Sequence, residues 1–324
     1  MTEPTVQTEQ FEAMVEAGGG GALARAAALD LRSGDTSAPA RVGALCLSGA
    51  ITAPERLVEI YDGLADGWVG RAPVAESIVG AAVPGAVPGD VPDDLWDAIW
   101  ALVFDPDAGR DPADITVRTA ALAGLLPAEF NDRLASMALR YPGVAEAATS
   151  GLPPRFSLDD LARCPRDSLA GNLHSLVVDN GFDLEVLDRD SLALTDLPHP
   201  LGYLNVRILQ CHDVWHEVAG YQTTGLHEVG ISGFQMGQFG HHYSSMFLGV
   251  VLTKVAFTQP FEATGFLLDT ILSAYTHGRE TPPLLGVPWE EIWDRPVEEI
   301  RVSLGVRPFE SPYPPGILED LRSA

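Results

Sequence analysis

Between Leu201 and Val218, apolar side chains recur at alternating intervals of three and four residues: Leu201, Leu204, Ile208, Cys211, Trp215 and Val218. That period belongs to a helix and not to a strand. Gly220 follows at the point where a left-handed residue would close such a helix. The spacing predicts one helix over 201–219. Similar patterns, punctuated by proline and glycine, predict helices over 54–68 with Pro54 in the first turn, and over 113–124, 127–140 and 158–180. Asp93 or Asp94 is placed to cap another, with Trp96, Ile99, Trp100 and Val103 on one face. The chain has no internal repeat and no long alternating pattern. An all-α fold is therefore expected: a single mostly helical domain with a helical hairpin and an additional N-terminal helical region. Pro84, Pro88 and Pro92 mark a loop or linker. The glycines from Gly18 to Gly21 lack both a preceding apolar strand and a following Lys-Ser/Thr, so they read as a flexible loop and not as a phosphate cradle.

Charge narrows the range of partners. The 324 residues carry a formal net charge of -25, which disfavours nucleic acid and any polybasic attachment to anionic lipid. Lys254 is the only lysine. Cys46, Cys164 and Cys211 are spaced neither for a metal knuckle nor for a redox pair. The opening MTEPTVQTEQFEAM is acidic and polar, unlike a secretory signal. No run approaches the roughly 18 apolar residues of a membrane span, so no transmembrane segment is expected. The expectation is a soluble, reduced, cytoplasmic protein.

Of eight histidines, six lie between His199 and His242. His212 and His216 stand four apart on the predicted 201–219 helix, which puts both imidazoles on one face within reach of one cation. Asp213 flanks that face and can add a carboxylate oxygen or orient an imidazole. The turn YQTTG leads to a second helix from about Gly225, with Glu228 in its first turn. In a helical hairpin Glu228 closes the site. Two imidazoles with one or two carboxylates suit Zn²⁺ or Fe²⁺ better than Mg²⁺ or Ca²⁺. The competing reading is a pair of packed or exposed histidines, since so short a motif also arises by chance. His227 adjoins Glu228 but faces away from it on a helix and reads as a surface or packing residue, while His241 and His242 do not repeat the four-residue spacing and read as packing residues.

The pattern His212-Asp213-x-x-His216, then eleven residues, then Glu228, resembles the signature of the ubiquinone (coenzyme Q) biosynthesis protein Coq-four family. Two flanking blocks resemble it as well. Upstream is RFSLDDLARCPRDSLAGNLHSLVVDNGFD; downstream is AYTHGRETPPLLGVPWEEIWDRPVEEIRVSLGV, with Gly278, Trp289, Trp293 and Arg301. The resemblance covers about 118–306 and divides the chain into an N-terminal extension (1–115), a family-like helical domain (116–310) and a tail (311–324). It implies a divalent metal, usually zinc, held by His212, Asp213, His216 and Glu228. It also implies polyprenyl-lipid or prenylated aromatic acid ligands, a homodimer, other quinone-biosynthesis proteins as partners, and peripheral contact with a membrane. The implied activity is that of a carboxy-lyase, removing the ring carboxyl of a polyprenylated hydroxybenzoate with coupled oxidation. Where the family often has a lysine and a further glutamate, this chain has Ser232 and Gln235, on the same helix face as Glu228. They are expected beside the metal or facing substrate, and their neutrality bears on the reaction more than on the metal.

The stretch SSMFLGVVLTKVAFTQPFEATGFLLDTILSAY predicts two apolar helices broken at Pro260. Most of it serves core packing, and a groove between such helices would also hold a polyprenyl tail. Three functions compete. The first is a metal-dependent lyase, the second a non-catalytic prenyl-lipid-binding or scaffold protein with a structural metal. The third, a phosphohydrolase, would have to recruit His174 or His199 to the metal.

Overall fold

Proline and glycine set the joints of the chain. The computed structural model describes residues 6–73, 91–108, 112–185, 189–190 and 193–323. Every regular element among them is a helix. In chain order these are α1 (Val6–Ala17), α2 (Gly21–Ser33), α3 (Ala38–Ile51), α4 (Leu57–Trp68), α5 (Asp93–Val103), α6 (Pro112–Ala123), α7 (Ala128–Ala138) and α8 (Val144–Ala147). They continue as α9 (Leu158–Ala162), α10 (Leu169–Asn180), α11 (Leu201–Ala219), α12 (Gly225–Phe239), α13 (His242–Thr258), α14 (Phe261–Glu280), α15 (Val297–Leu304) and α16 (Ile317–Ser323). The all-α expectation holds. Among the described residues no helix is long and apolar enough to cross a membrane.

Several boundaries differ from the sequence reading. The helix expected over 158–180 is two helices, α9 and α10. Pro165 lies in the gap, and Ser168 starts the second by accepting the Gly171 N–H at 3.1 Å. The 54–68 segment opens as a 3₁₀ turn over Pro54–Arg56 before α4 begins. Pro92 occupies the capping position of α5, which leaves Asp93 and Asp94 in its first turn, where their charge complements the helix dipole. Gly18–Gly20 is not an open loop but a three-residue link between α1 and α2, held by Arg56 Nη1 donating to the Gly19 carbonyl at 3.3 Å. Pro84 and Pro88 lie outside the described residues.

The apolar stripe read from the sequence is the buried face of α11. Leu204, Ile208, Cys211, Trp215 and Val218 pack with Leu169, Leu173, Leu284, Trp289 and Ile300. Arg207 fixes this helix from the side: its guanidinium pairs with Glu290 at 2.7 and 3.0 Å and donates to the Val287 carbonyl at 2.9 Å, flanking the fully buried Trp289. A second core joins the N-terminal helices to α13 and α14. Leu45, Cys46, Ile60, Tyr61 and Leu64 from the N-terminal helices bury with Leu248, Leu268, Ile271 and Tyr275 of α13 and α14. Lys254 of α13 adds a polar tie, donating to the carbonyls of Val103 at 3.0 Å, Leu102 at 3.4 Å and Asp105 at the C-terminal end of α5.

α12 and α14 pack along each other at short range. A Cβ at Gly278 would lie 2.3 Å from the Phe234 carbonyl oxygen, so no larger residue fits without moving backbone. Replacing Gly278 by alanine should therefore lower stability by about 1–3 kcal/mol through overpacking. Urea denaturation of the variant against wild type measures this, and an unchanged midpoint would contradict the close crossing.

Candidate metal centre

Glycine, arginine and a carbonyl together define where α11 stops and hence where its last imidazole points. Gly220 takes φ 82 and closes the helix. Arg301 Nε and Nη2 donate to the carbonyls of Val218 at 2.9 Å and Glu217 at 2.6 Å, and the Phe309 N–H donates to that of Ala219 at 2.8 Å. These partners satisfy carbonyls that the helix end leaves open. The turn after Gly220 then presents the Tyr221 carbonyl to His216 Nδ1 at 3.1 Å. A carbonyl only accepts, so Nδ1 carries the proton and Nε2 of neutral His216 keeps its lone pair free.

His212, His216 and Glu228 converge as the sequence spacing requires. The two Nε2 atoms are 3.1 Å apart. Glu228 places Oε2 at 3.4 Å from His212 Nε2 and Oε1 at 3.4 Å from His216 Nε2. Two ligand atoms each about 2.0–2.2 Å from one tetrahedral ion stand roughly 3.3–3.5 Å apart, so this triangle has the dimensions of a divalent-ion site. The donor set, two imidazoles and one carboxylate, fits zinc or iron(II) better than magnesium. Among the described residues no other group of three or more histidine, cysteine, aspartate or glutamate side chains converges in this way, and His174 and His199 stay outside it. All three cysteines are free thiols.

Asp213 is not one of the three converging groups. It lies half-buried on the wall of the adjoining cavity and acts on His212 through charge. Burial disfavours the imidazolium of His212, but the hydrogen bond and charge of Glu228, with help from Asp213, hold its pKa above the ordinary value. Burial likewise works against the Glu228 carboxylate, yet the two imidazoles hold it well below the usual carboxylate range.

Gln235 touches the triad directly: its amide lies 2.8 Å from His212 Nδ1. Its other end meets Ser244 Oγ at 3.1 Å and His241 Nδ1 at 3.3 Å. Amide oxygen and nitrogen are exchangeable in such an assignment. With the oxygen turned to His212, Nδ1–H donates to it and Nε2 is freed for an ion, while the amide NH₂ faces two groups able to accept. Ser232 donates to the Glu228 carbonyl at 3.0 Å, a bond within its own helix, and lines the cavity. His241 and His242 are packed neutral. Burial lowers their pKa values to about 3 and about 4, and His242 Nε2 bonds the Ala50 carbonyl at 2.9 Å. His227 is buried and accepts the Gln222 N–H at 2.8 Å. Sequence reasoning does not reach Tyr221, which acts through its backbone, or Ser244, whose role depends on where α13 meets α12.

His212 and Glu228 open onto a cavity of about 1920 Å³, lined also by many apolar side chains, among them Leu201, Leu204, Ile208 and Phe247. α11 and α12 meet across their junction mainly through long side chains: His212 with Glu228 and Gln235, and Trp215 with Phe239 at 4.8 Å between ring centres.

Two measurements probe the centre. Replacing Gln235 by leucine removes the partner of His212 Nδ1, and metal affinity should fall about 10–100-fold in a chelator competition. An unchanged affinity would make Gln235 a bystander. Protons compete with the ion for His212, whose pKa lies above the ordinary value of about 6.5, so affinity should weaken as pH falls through neutrality, approaching about tenfold per unit for each proton displaced. A flat profile between pH 8 and pH 6 would show that the ion does not bind there.

Comparison with known proteins finds one family over the stretch that carries these residues. Residues 154–310 match the family described as coenzyme Q (ubiquinone) biosynthesis protein Coq4, a stretch that contains all four residues of the His-Asp-x-x-His…Glu pattern and begins later than the 118 expected from sequence. A relative named ubiquinone biosynthesis protein COQ4 homolog, mitochondrial, from Drosophila ananassae is 27% identical over 147 residues, 45% of this chain and 53% of that protein. Ubiquinone biosynthesis protein coq4, mitochondrial, from Sclerotinia sclerotiorum is 30% identical over 118 residues, 36% of this chain and 40% of that one. The chain thus spans about half the length, or less, of these curated relatives. A crystal structure from Nostoc punctiforme, of a protein described as belonging to ubiquinone biosynthesis, superposes with a TM-score of 0.51 at 24% identity, covering 66% of this chain and 98% of that one. It supports the fold.

Proposed function

We propose, from the resemblance over 154–310 to a family of ubiquinone biosynthesis, that this chain binds a divalent ion at His212, His216 and Glu228, with Asp213 as a further ligand or orienting charge, and removes the ring carboxyl group from a polyprenylated hydroxybenzoate. One observation carries this reading: two of the three groups, His212 and Glu228, stand in the wall of a large, largely apolar cavity. Such a cavity takes up a tail without polar partners, each buried CH₂ contributing about 0.8 kcal/mol. Holding the tail fixes the ring at the polar end. A divalent ion there would supply a positive charge that polarises a bound carboxylate or phenolate. The chain's own part is to keep both Nε2 atoms deprotonated, through the Tyr221 carbonyl and Gln235, and to exclude water around the ring. Breaking the carbon–carboxyl bond releases CO₂ and leaves the electron pair on the ring carbon, which takes a proton. In the oxidative version one atom of O₂ would form the new carbon–oxygen bond and the other would leave as water, with two electrons from an external reductant; iron(II) at the site would suit that chemistry, since zinc has no redox chemistry. A substrate with such a tail resides in a bilayer, so this reading has the protein working at a membrane surface, as a homodimer or beside other quinone-synthesising proteins.

The second reading is a non-catalytic prenyl-lipid carrier or scaffold with a structural metal. The uncharged Ser232 and Gln235 beside Glu228 favour it, because they remove charges that could move protons. Purified protein, assayed for metal content and for carboxyl loss from a prenylated hydroxybenzoate alongside His212→Ala, separates the two. The lyase reading expects metal and turnover in wild type and at least a hundredfold loss of turnover, on the order of a ligand deletion, in the variant. Equal turnover in both rejects it. Bound lipid without turnover, under zinc or under iron(II) with oxygen, favours the carrier.

A further inference from the structure

The cavity that holds the triad is not built from the family-like stretch alone. Ile115, Thr116 and Thr119 of α6 form part of its wall, and α6 precedes residue 154, where the family match begins. Thr116 and Thr119 are three apart and share a helix face. Thr119 is 1% exposed, and its Oγ1 has no hydrogen-bond partner among the described residues. Hydroxyls on helices usually bond the carbonyl four residues back. Ser232, Thr253 and Thr258 do so here, at 3.0, 2.7 and 2.7 Å. Thr119 does not, nor do Thr264, Thr270 and Thr276 of α14, but of these four only Thr119 lines the cavity, where a ligand could meet a buried hydroxyl otherwise left unpaired.

One turn away, the Tyr243 hydroxyl bonds the Thr116 hydroxyl, and Tyr243 is also part of the cavity wall. Its ring lies parallel to that of Phe247, 6.2 Å between centres, which fixes its direction. Burial pushes its phenol up to about 12, so it acts as a neutral hydroxyl, and it lies close enough to Glu228 to feel that charge. The group is uncharged and stands in the field of a carboxylate. It suits a neutral oxygen and not an anion.

We infer that Thr116, Thr119 and Tyr243 form a polar subsite that receives an uncharged oxygen substituent, a phenolic hydroxyl, on the ring of the bound ligand. Two residues outside the family-like stretch, Thr116 and Thr119, then join Tyr243 within it to select the ring that this chain accepts. The ligand class rests on the reading under Proposed function, while the subsite itself rests on the hydroxyl geometry.

The test compares two probes, 3-geranyl-4-hydroxybenzoate and 3-geranylbenzoate, which lacks the ring hydroxyl. Binding is followed by calorimetry to wild type, Thr119→Val and Tyr243→Phe. Thr119→Val keeps the shape of the side chain and Tyr243→Phe keeps the ring, and a circular dichroism melt checks that each is folded. Wild type should prefer the hydroxylated probe by about tenfold, the value of one well-made hydrogen bond. Each variant should narrow that gap to about threefold or less by weakening the hydroxylated probe alone. A gap of the same size in folded variants, or no gap in wild type, overturns the subsite. Running the series on metal-loaded and chelator-treated protein separates the two readings. An intact hydroxyl preference without metal binding or turnover sinks the lyase and keeps the subsite. Metal binding and turnover with an unmoved gap sink only the subsite. Failure of both probes to bind overturns both.

Discussion

Two imidazole nitrogens and a carboxylate held 3.1–3.4 Å apart in a partly buried niche need a proton or a cation among them. Without it, lone pairs face lone pairs. A proton satisfies one edge of the triangle, whereas a divalent ion satisfies all three. The electrostatics of His212 and Glu228 lean toward the first solution, with the His212 pKa raised and that of Glu228 lowered. The arrangement around the niche serves to keep this crowding from relaxing.

That restraint comes from ordinary helix chemistry. α11 cannot unwind past Ala219, because Arg301 and the Phe309 backbone occupy its last carbonyls. α12 cannot slide along α14, because Gly278 admits the Phe234 carbonyl at contact range. His216 is fixed by a backbone atom and His212 by a side chain, so the two imidazoles differ in how readily substitution can alter them. Tyr221 adds a longer tether: its hydroxyl bonds His277 Nδ1 at 2.9 Å, and His277 Nε2 donates to the Arg307 carbonyl at 2.7 Å. The segment after α15 is thereby tied to the turn that carries the His216 partner.

The parts legible in the sequence are those that repeat. The stripe from Leu201 to Val218, the four-residue step between His212 and His216, and the break at Pro260 all read through helical period and proline chemistry. Gly278, Trp289 and Arg301 stand out in the sequence only by resemblance. In the structure Gly278 permits a close crossing, Trp289 is a buried anchor and Arg301 closes a helix. Features that rest on tertiary meeting are not legible. No local pattern shows that Tyr221 acts through its carbonyl, that Gln235 reaches His212 instead of solvent, or that the N-terminal helices share a core with α13 and α14. The single helix expected over 158–180 divides at Pro165, although the apolar period continues across it and only the Ser168 cap marks the restart. Asp213 shows the limit of adjacency: next to a ligand in sequence, it stays out of the triangle and contributes charge.

Lys254 carries a consequence of a different kind. The chain has a single side-chain amine, and it is spent on three carbonyls at the end of α5. Acylating reagents, amine-directed cross-linkers and enzymes that conjugate to lysine would therefore find one side-chain target. Reaction there would replace the donors that fasten α5 to α13. Surface immobilisation or labelling of this protein is thus better directed to carboxylates, which it has in abundance, than to amines.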